Sequence, residues 1–210
     1  MPTAVILANG TPPSLATMER HLSRASLFVC ADGGANAARL HGLKPHAIVG
    51  DFDSVTPATL AHFADVPRVK DDDTERPDTE KALRYVLDRG PFVEIVLLGA
   101  SAGRLDHVVG HVSLLRRYAG RAPLVLEDDQ SRAWIASGAV SLDYPAGTVI
   151  SFFGVGTPAE GVTTENLRFA LRDRRLELGE QDSLSNVVTA RPARITIGSG
   201  SLLVFVVNRP

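Results

Sequence analysis

Short aliphatic and β-branched runs alternate with stretches of helical period through the first part of the chain, which is the pattern of a parallel sheet with crossover helices. Thr3–Ala8, Leu27–Ala31, Ala47–Val49, Arg68–Lys70, Val93–Leu98 and Leu124–Glu127 read as strands. Between them, Ser14–Arg24 keeps Leu15, Met18 and Leu22 at helical spacing. Ala35–His41, Pro57–Ala64 and Thr79–Arg89 follow as helices, the first and last stopped by Gly42 and Gly90. Leu105–Tyr118 carries Leu105, Val108, Val109, Val112 and Leu115 on one helical stripe.

After about Asp128 the helical period disappears. Trp134-Ile135, Val140–Leu142, Val149–Phe153, Leu167–Leu171, Arg175–Leu178, Arg194–Ile197 and Leu202–Val207 are short strand candidates separated by Gly, Pro, Asn or Asp turns. The expected fold is therefore a doubly wound, mostly parallel α/β domain over residues 1–130 followed by an antiparallel β-sandwich over 131–210.

Composition narrows the function. With 210 residues and 44% hydrophobic content the chain can bury a real core, but a net charge of -2 offers no basic excess for a nucleic-acid partner. A small anionic substrate fits if a metal assists. Cys30 is the sole cysteine and lies in the apolar run Leu27-Phe28-Val29-Cys30, where a packed thiol is expected. The opening residues lack a signal-peptide pattern and no apolar run has membrane-spanning length, so the expected location is the cytoplasm, with no membrane partner.

The informative feature is where the acidic residues fall. In a doubly wound sheet, ligands bind beyond the carboxyl ends of the strands. Here the second strand runs into Asp32-Gly33-Gly34, the third into Gly50-Asp51-Phe52-Asp53, the fourth into Asp71-Asp72-Asp73, and the fifth into Gly99-Ala100-Ser101-Ala102-Gly103-Arg104-Leu105-Asp106. Asp51 and Asp53, two apart in chain read as extended, are expected on one side of the strand end with Phe52 opposed. Two carboxylates about 4 Å apart repel by roughly 4 kcal/mol at an effective dielectric near 20, which a hard oxygen-seeking cation such as Mg²⁺ reverses. Zinc has no HExxH or cysteine cluster to hold it. Gly33-Gly34 and the Gly99–Gly103 loop follow strands and precede helices, where bare N–H groups can receive phosphate oxygens. Neither matches the Walker or GxGxxG spacing.

Taken together, Ala31-Asp32-Gly33-Gly34-Ala35-Asn36, Val49-Gly50-Asp51-Phe52-Asp53-Ser54, Asp78-Thr79-Glu80-Lys81 and Gly103-Arg104-Leu105-Asp106-His107 resemble, in order and spacing, the thiamine pyrophosphokinase family. Gly161–Leu171 and Ser183-Leu184-Ser185-Asn186 resemble its thiamine-site segments, so the likeness spans nearly the whole chain. It implies transfer of pyrophosphate from ATP to thiamine, giving thiamine pyrophosphate and AMP. The implied protein is a homodimer of two-domain subunits with thiamine at the subunit interface. Asp51, Asp53 and Asp78 match the metal-and-phosphate carboxylates, Asp32 and Asp106 match further acidic positions, and Arg104 matches the phosphate-side arginine. The ATP-binding set implied is Asp32, Gly33, Gly34, Asn36, Gly99, Gly103 and Arg104. Phe169 falls at the aromatic position that stacks on thiamine, and Ser185 and Asn186 at the Ser-Asn pair near its pyrimidine. Departures are Pro77 for a common threonine, Gly110-His111 for Ala-Asn, and Phe169 for Trp or Tyr.

Each residue also has a plainer reading. Asp78 alone suits a helix N-cap, Asp71-Asp72-Asp73 a solvated turn, Arg104 with Asp106 a surface ion pair, Phe169 a strand core position beside Leu167 and Leu171, and His107 with His111 packing. Two rival functions stay open: a pyrophosphokinase for another heterocyclic alcohol such as a pterin, and a non-catalytic nucleotide or thiamine sensor.

Overall fold

The structure, a computed structural model, describes residues 2–207. The chain divides into two compact units, Met1–Asp129 and Gln130–Pro210.

In the first unit, strands β1 (Thr3–Leu7), β2 (Ala25–Ala31), β3 (Ala47–Gly50), β4 (Arg68–Lys70), β5 (Glu94–Leu98) and β6 (Leu124–Glu127) lie in the order β6-β5-β1-β2-β3-β4, every pair parallel. Helices α1 (Leu15–Leu22), α2 (Gly34–Leu40), α3 (Pro57–His62), α4 (Asp78–Leu87) and α5 (Leu105–Tyr118) connect them. Strand alternation assigns the two faces. Val5, Leu7, Phe28, Cys30, Ile48, Val96 and Leu98 share a core cluster with Met18 of α1 and Ala35 and Ala38 of α2. The alternate residues Ala4, Ile6, Val29, Ile95 and Leu97 are equally buried and face the other way; on that side α4, with its buried Ala82, Leu83 and Val86, packs along β1, β2 and β3. Cys30 is a wholly buried thiol, as expected, and burial pushes its pKa up.

Register decides where the loops emerge. Leu7 pairs with both Cys30 and Leu98, and Cys30 pairs with Ile48, so β1, β2, β3 and β5 end level with one another. Every loop that follows these strands opens on one edge, and Asp32 and Asp51 emerge there together.

One helix turns a different side inward from the one expected. On α5 the buried residues are His111, Leu114, Leu115 and Tyr118, whereas Leu105 and Val109 are 81% and 68% exposed. The apolar stripe misled because a histidine occupies the inward face. His111 can do so because its Nδ1 lies 2.7 Å from the Ala100 carbonyl oxygen, which satisfies the buried ring.

The second unit contains β7 (Ser131–Ala136), β8 (Ala139–Leu142), β9 (Val149–Gly154), β10 (Ala159–Glu165), β11 (Arg174–Leu176), β12 (Ser183–Val187), β13 (Ala193–Thr196) and β14 (Leu202–Val207). Antiparallel sheets β12-β9-β14-β7 and β11-β10-β13-β8 enclose one core that includes Ile150, Phe152, Val162, Leu176, Ile195 and Val204. This is the α/β unit followed by an antiparallel sandwich that the sequence predicts. Two strands escaped the hydrophobic pattern. β10, Ala-Glu-Gly-Val-Thr-Thr-Glu, buries only Ala159, Val162 and Thr164, and β12 is mostly polar. Conversely, Leu167–Leu171 is not a strand: Asn166 turns the backbone at φ 60, and Leu167 makes only an isolated bridge to Val188. Among the described residues no helix is long and apolar enough to cross a membrane.

Candidate active site

At the level edge of the first unit, Asp32 follows β2, Asp51 follows β3 and Asp78 opens α4. Each offers a carboxylate oxygen within 4.8 Å of the other two. The approach depends on Gly50, where an added Cβ would stand 2.7 Å from Asp32 Cβ and 3.2 Å from Asp78 Oδ1. Any side chain at that position would press the cluster apart. Asp78 is the first residue of α4, after Pro77 as N-cap, so the capping role that its sequence suggests is not the one it takes.

Asp53 stands outside this trio, and Asp32 is the third member in its place. β3 stops at Gly50 and Phe52 turns the chain at φ 69, so Asp51-Phe52-Asp53 is a bend and not extended strand. The Asp53 N–H donates to Asp51 Oδ1 at 3.2 Å, and Asp53 Oδ1 accepts from Ser54 Oγ at 2.7 Å. The expectation that Asp51 and Asp53 share a strand face therefore fails. A bend with this Asx-type bond is what an Asp-Phe-Asp-Ser sequence forms once the ladder has ended.

Asp32 is buried, with 1% exposure, and its backbone is strained at φ 40. Its two oxygens accept from the Ser54 N–H at 3.0 Å and the Val55 N–H at 3.2 Å, which ties the turn after β3 to the end of β2. Burial raises its pKa from an ordinary 3.8 to about 6. The charge of Asp78 and a hydrogen bond with Asp53 push the same way, against the two backbone donors. Asn36, expected at the nucleotide, braces the same turn: its Oδ1 accepts from the Thr56 N–H and its Nδ2 donates to the Ser54 carbonyl, both at 3.0 Å.

Sequence reasoning passed over Lys81. Its side chain is 2% exposed, and Nζ lies 2.9 Å from Asp78 Oδ1 and 3.8 Å from Asp51 Oδ2. The i, i+3 spacing from Asp78 within one helix was the available signal. Glu80 was also missed. It is buried, accepts from Tyr118 Oη at 3.0 Å and pairs with Arg117, and so joins α4 to α5.

A cleft of about 730 Å³ adjoins the trio, lined by Ala8–Pro12, Pro77–Thr79, Ala102–Arg104 and His111, among others. Of the expected phosphate-loop residues Gly103 and Arg104 line it. Gly33, Gly34 and Gly99 are needed for packing: a Cβ on Gly34 would sit 2.1 Å from the Leu7 carbonyl oxygen, on Gly33 2.3 Å from the Asn9 side chain, and on Gly99 2.8 Å from the Ala8 carbonyl oxygen. The β1–α1 loop, Ala8 to Pro12, was not singled out from sequence. Its Ala8 and Gly10 N–H groups donate to the Leu98 and Gly99 carbonyls at 2.8 and 2.9 Å, so it is zipped to the loop after β5. Thr79 Oγ1, buried beside Asp78, has no hydrogen-bond partner among the described residues.

Arg104 and Asp106 form a two-point ion pair, Nε to Oδ1 at 3.1 Å and Nη2 to Oδ2 at 2.6 Å, with both side chains exposed. The arginine holds the Asp106 pKa down at about 2. Burial lowers the pKa of His111, so its ring is neutral near pH 7 and the bond to Ala100 makes Nδ1 the donor.

In the second unit Asn186 is fully buried. Its Oδ1 accepts from the Phe169 and Val187 N–H groups at 3.0 and 2.9 Å, and its Nδ2 donates to the Phe169 carbonyl at 2.8 Å and to Ser183 Oγ at 3.3 Å. Every polar capacity of the amide is thus used within the protein, and what it fixes is Phe169. The Phe169 side chain is 61% exposed and not in the core, against the plainer reading; Leu167 and Leu171 keep the core contacts. Ser185 takes φ 56, with its N–H donating to Ser151 Oγ at 3.0 Å.

Residues 18–126 match the family model described as thiamin pyrophosphokinase, catalytic domain, and residues 139–202 match thiamin pyrophosphokinase, vitamin B1 binding domain. Thiamine pyrophosphokinase 1 of Oryza sativa subsp. japonica is 28% identical over 233 residues, spanning 98% of this chain and 86% of that protein. Two solved structures share the fold. One is thiamine pyrophosphokinase from Bacillus subtilis (TM-score 0.86, 21% identity, 99% of this chain and 100% of that one). The other is thiamin pyrophosphokinase from Candida albicans (TM-score 0.87, 17% identity, 99% and 89%).

The raised pKa of Asp32 has a measurable sign. A carboxyl whose folded pKa exceeds its unfolded value stabilises the fold fully below the unfolded pKa, near 3.8, and loses that contribution as pH rises through about 6. The interval corresponds to about 3 kcal/mol at most. Chemical denaturation in EDTA should therefore show stability falling between pH 4 and 6, with the slope flattened in Asp32→Asn. An unchanged slope in that variant would remove Asp32 as its source.

Proposed function

Because this chain belongs to the thiamine pyrophosphokinase family, we propose that it transfers the pyrophosphate group of ATP to the hydroxyl of thiamine, giving thiamine pyrophosphate and AMP. The observation that carries the reading is the trio of Asp32, Asp51 and Asp78 beside an open cleft. The vitamin B1 binding match leaves the pterin alternative without support, and the retained acidic cluster argues against a sensor.

The trio fits magnesium. Its donors are hard carboxylate oxygens with no sulfur or imidazole among them, and the space is kept by the missing Cβ of Gly50. Bound there with the nucleotide, the ion would offset the charge of the phosphate oxygens. The protein's own part is placement and charge. The N–H-bearing loops Ala8–Pro12 and Ala102–Arg104 flank the cleft where a triphosphate would lie, and Arg104 supplies a cation to it. In the reaction the thiamine oxygen bonds to the β-phosphorus while the bond from that phosphorus to the α–β bridging oxygen breaks, and AMP leaves with the electron pair. The sequence offers two carboxylates as acceptor for the hydroxyl proton, Asp78 and Asp106, and each holds an ion pair in the protein, Asp78 with Lys81 and Asp106 with Arg104.

In the second unit, Phe169 presents its ring to solvent from a backbone gripped by Asn186, which suits stacking on a cationic aromatic ligand such as thiamine. A homodimer with thiamine at the subunit interface belongs to the same proposal. The exposed Leu105, Val109, Phe169 and Leu184 are among the apolar side chains available to such an interface or ligand, as are Leu40 and Leu178. A cytoplasmic location goes with it.

Incubation with ATP, Mg²⁺ and thiamine should release AMP, and Asp51→Asn should lower turnover by at least about a hundredfold while its circular dichroism stays wild-type. Release of ADP, or full activity of the variant at saturating magnesium, would refute the assignment. Phe169→Ala should raise the KM for thiamine about tenfold and leave that for ATP within about twofold; equal losses for both substrates would mark the ring as structural. Light scattering should give a mass near twice the 22.4 kDa of one chain, and a monomer at micromolar concentration would exclude the interface site.

A further inference from the structure

Lys81 is the one buried cation in contact with the trio among the described residues, and its position cannot be explained by core packing alone. An ammonium group with 2% side-chain exposure is costly unless carboxylates surround it. Here Asp78 receives its hydrogen bond at 2.9 Å, Asp51 lies at 3.8 Å, and Asp71 adds its charge from further off. The buried Ala82, Leu83 and Val86 fix the helix that carries it, and Glu80 locks that helix to α5 through Arg117 and Tyr118. Lys81 is therefore a rigid charge and not a mobile tail.

We propose that Lys81 is a built-in counter-charge for the carboxylate trio, a positioning residue that holds Asp78 and Asp51 in place without metal and weakens binding of a lone cation. This rests on the reading of the trio as the magnesium site. Three carboxylates without it would repel one another and bind a free divalent ion tightly. With Lys81 sharing the Asp78 oxygen, the ion gains less from the protein alone and needs the negative oxygens of a triphosphate to complete its shell. Metal and nucleotide thus enter together, and the empty site does not have to open.

The test compares wild type, Lys81→Met, which keeps volume and removes charge, and Lys81→Arg, which keeps charge. Isothermal titration of nucleotide-free protein with MgCl₂ should show binding about tenfold tighter in Lys81→Met than in wild type, with Lys81→Arg close to wild type. In EDTA the melting temperature of Lys81→Met should fall, and millimolar Mg²⁺ should restore most of the loss. A fall that Mg²⁺ does not reverse, with unchanged magnesium affinity, would show a packing role and overturn the inference. If Lys81→Met does not fold, the double variant Asp51→Asn/Lys81→Met, which removes one charge of each sign, should fold in EDTA; its failure also overturns the inference. Absence of any magnesium response in wild type and variants would reject the metal reading itself, and the role of Lys81 with it.

Discussion

Holding three carboxylates within 4.8 Å of one another is the constraint on which the first unit depends. At an effective dielectric near 20, each ionised pair at that separation repels by about 3 kcal/mol, so the arrangement exists only because several independent features impose it. Level strand ends bring Asp32 and Asp51 out on the same edge. The absent side chain of Gly50 lets Asp32 and Asp78 approach. Two backbone N–H groups hold Asp32 in a strained turn, and Lys81 answers part of the charge from inside α4. Each feature is local, but they meet only if the parallel register is right. Fold and site are in this sense one requirement.

The second unit solves a different problem by a different means. Among its described residues no carboxylate trio of this kind forms; its distinctive residue is an apolar ring kept out of an apolar core. Phe169 would gain by burial, and what prevents it is Asn186, whose amide takes both the N–H and the carbonyl of residue 169. Leu167 and Leu171 on either side reach the core while the ring between them stays outside. A buried amide with all its bonds made rigidifies a loop as a strand ladder does, and that rigidity is what a stacking surface requires.

Much of this was legible in the sequence, for identifiable reasons. The central strands of the first unit announced themselves because they are buried on both faces and read as continuous apolar runs, as β6 does, which matches to the residue; the edge strand β4, Arg-Val-Lys, also matches although it is largely exposed. The carboxylates were legible because strand ends are where such a sheet binds ligands. What stayed hidden were effects that only three dimensions decide. Asp51 and Asp53 read by spacing as sharing one strand face, but a positive φ at Phe52 broke the alternation on which spacing relies. The inward face of α5 was misread because a histidine with one well-made bond to Ala100 can occupy it. β10 and β12 were missed because strands of small and polar residues gain their place from pairing and not from hydrophobicity.

The glycines show most clearly how a motif and its cause can differ. Read along the chain, Gly33-Gly34 and Gly99 have the look of bare backbone waiting for phosphate. In space each is filled from behind: a Cβ at Gly34 would strike the Leu7 carbonyl oxygen and one at Gly99 the Ala8 carbonyl oxygen. These residues are glycines because helix α2 and the loop after β5 must lie hard against the end of β1. Gly103 is different, since a Cβ there would meet nothing within 4 Å and its φ of 106 is what excludes other residues. The loop that carries it borders the cleft, and Arg104 follows at once. The packing glycines therefore bring the β1 and β5 loops together, and the conformational one shapes the rim where an anion would be met. The second kind sets the conformation of the loop that borders the cleft; the first kind makes the edge on which that loop stands.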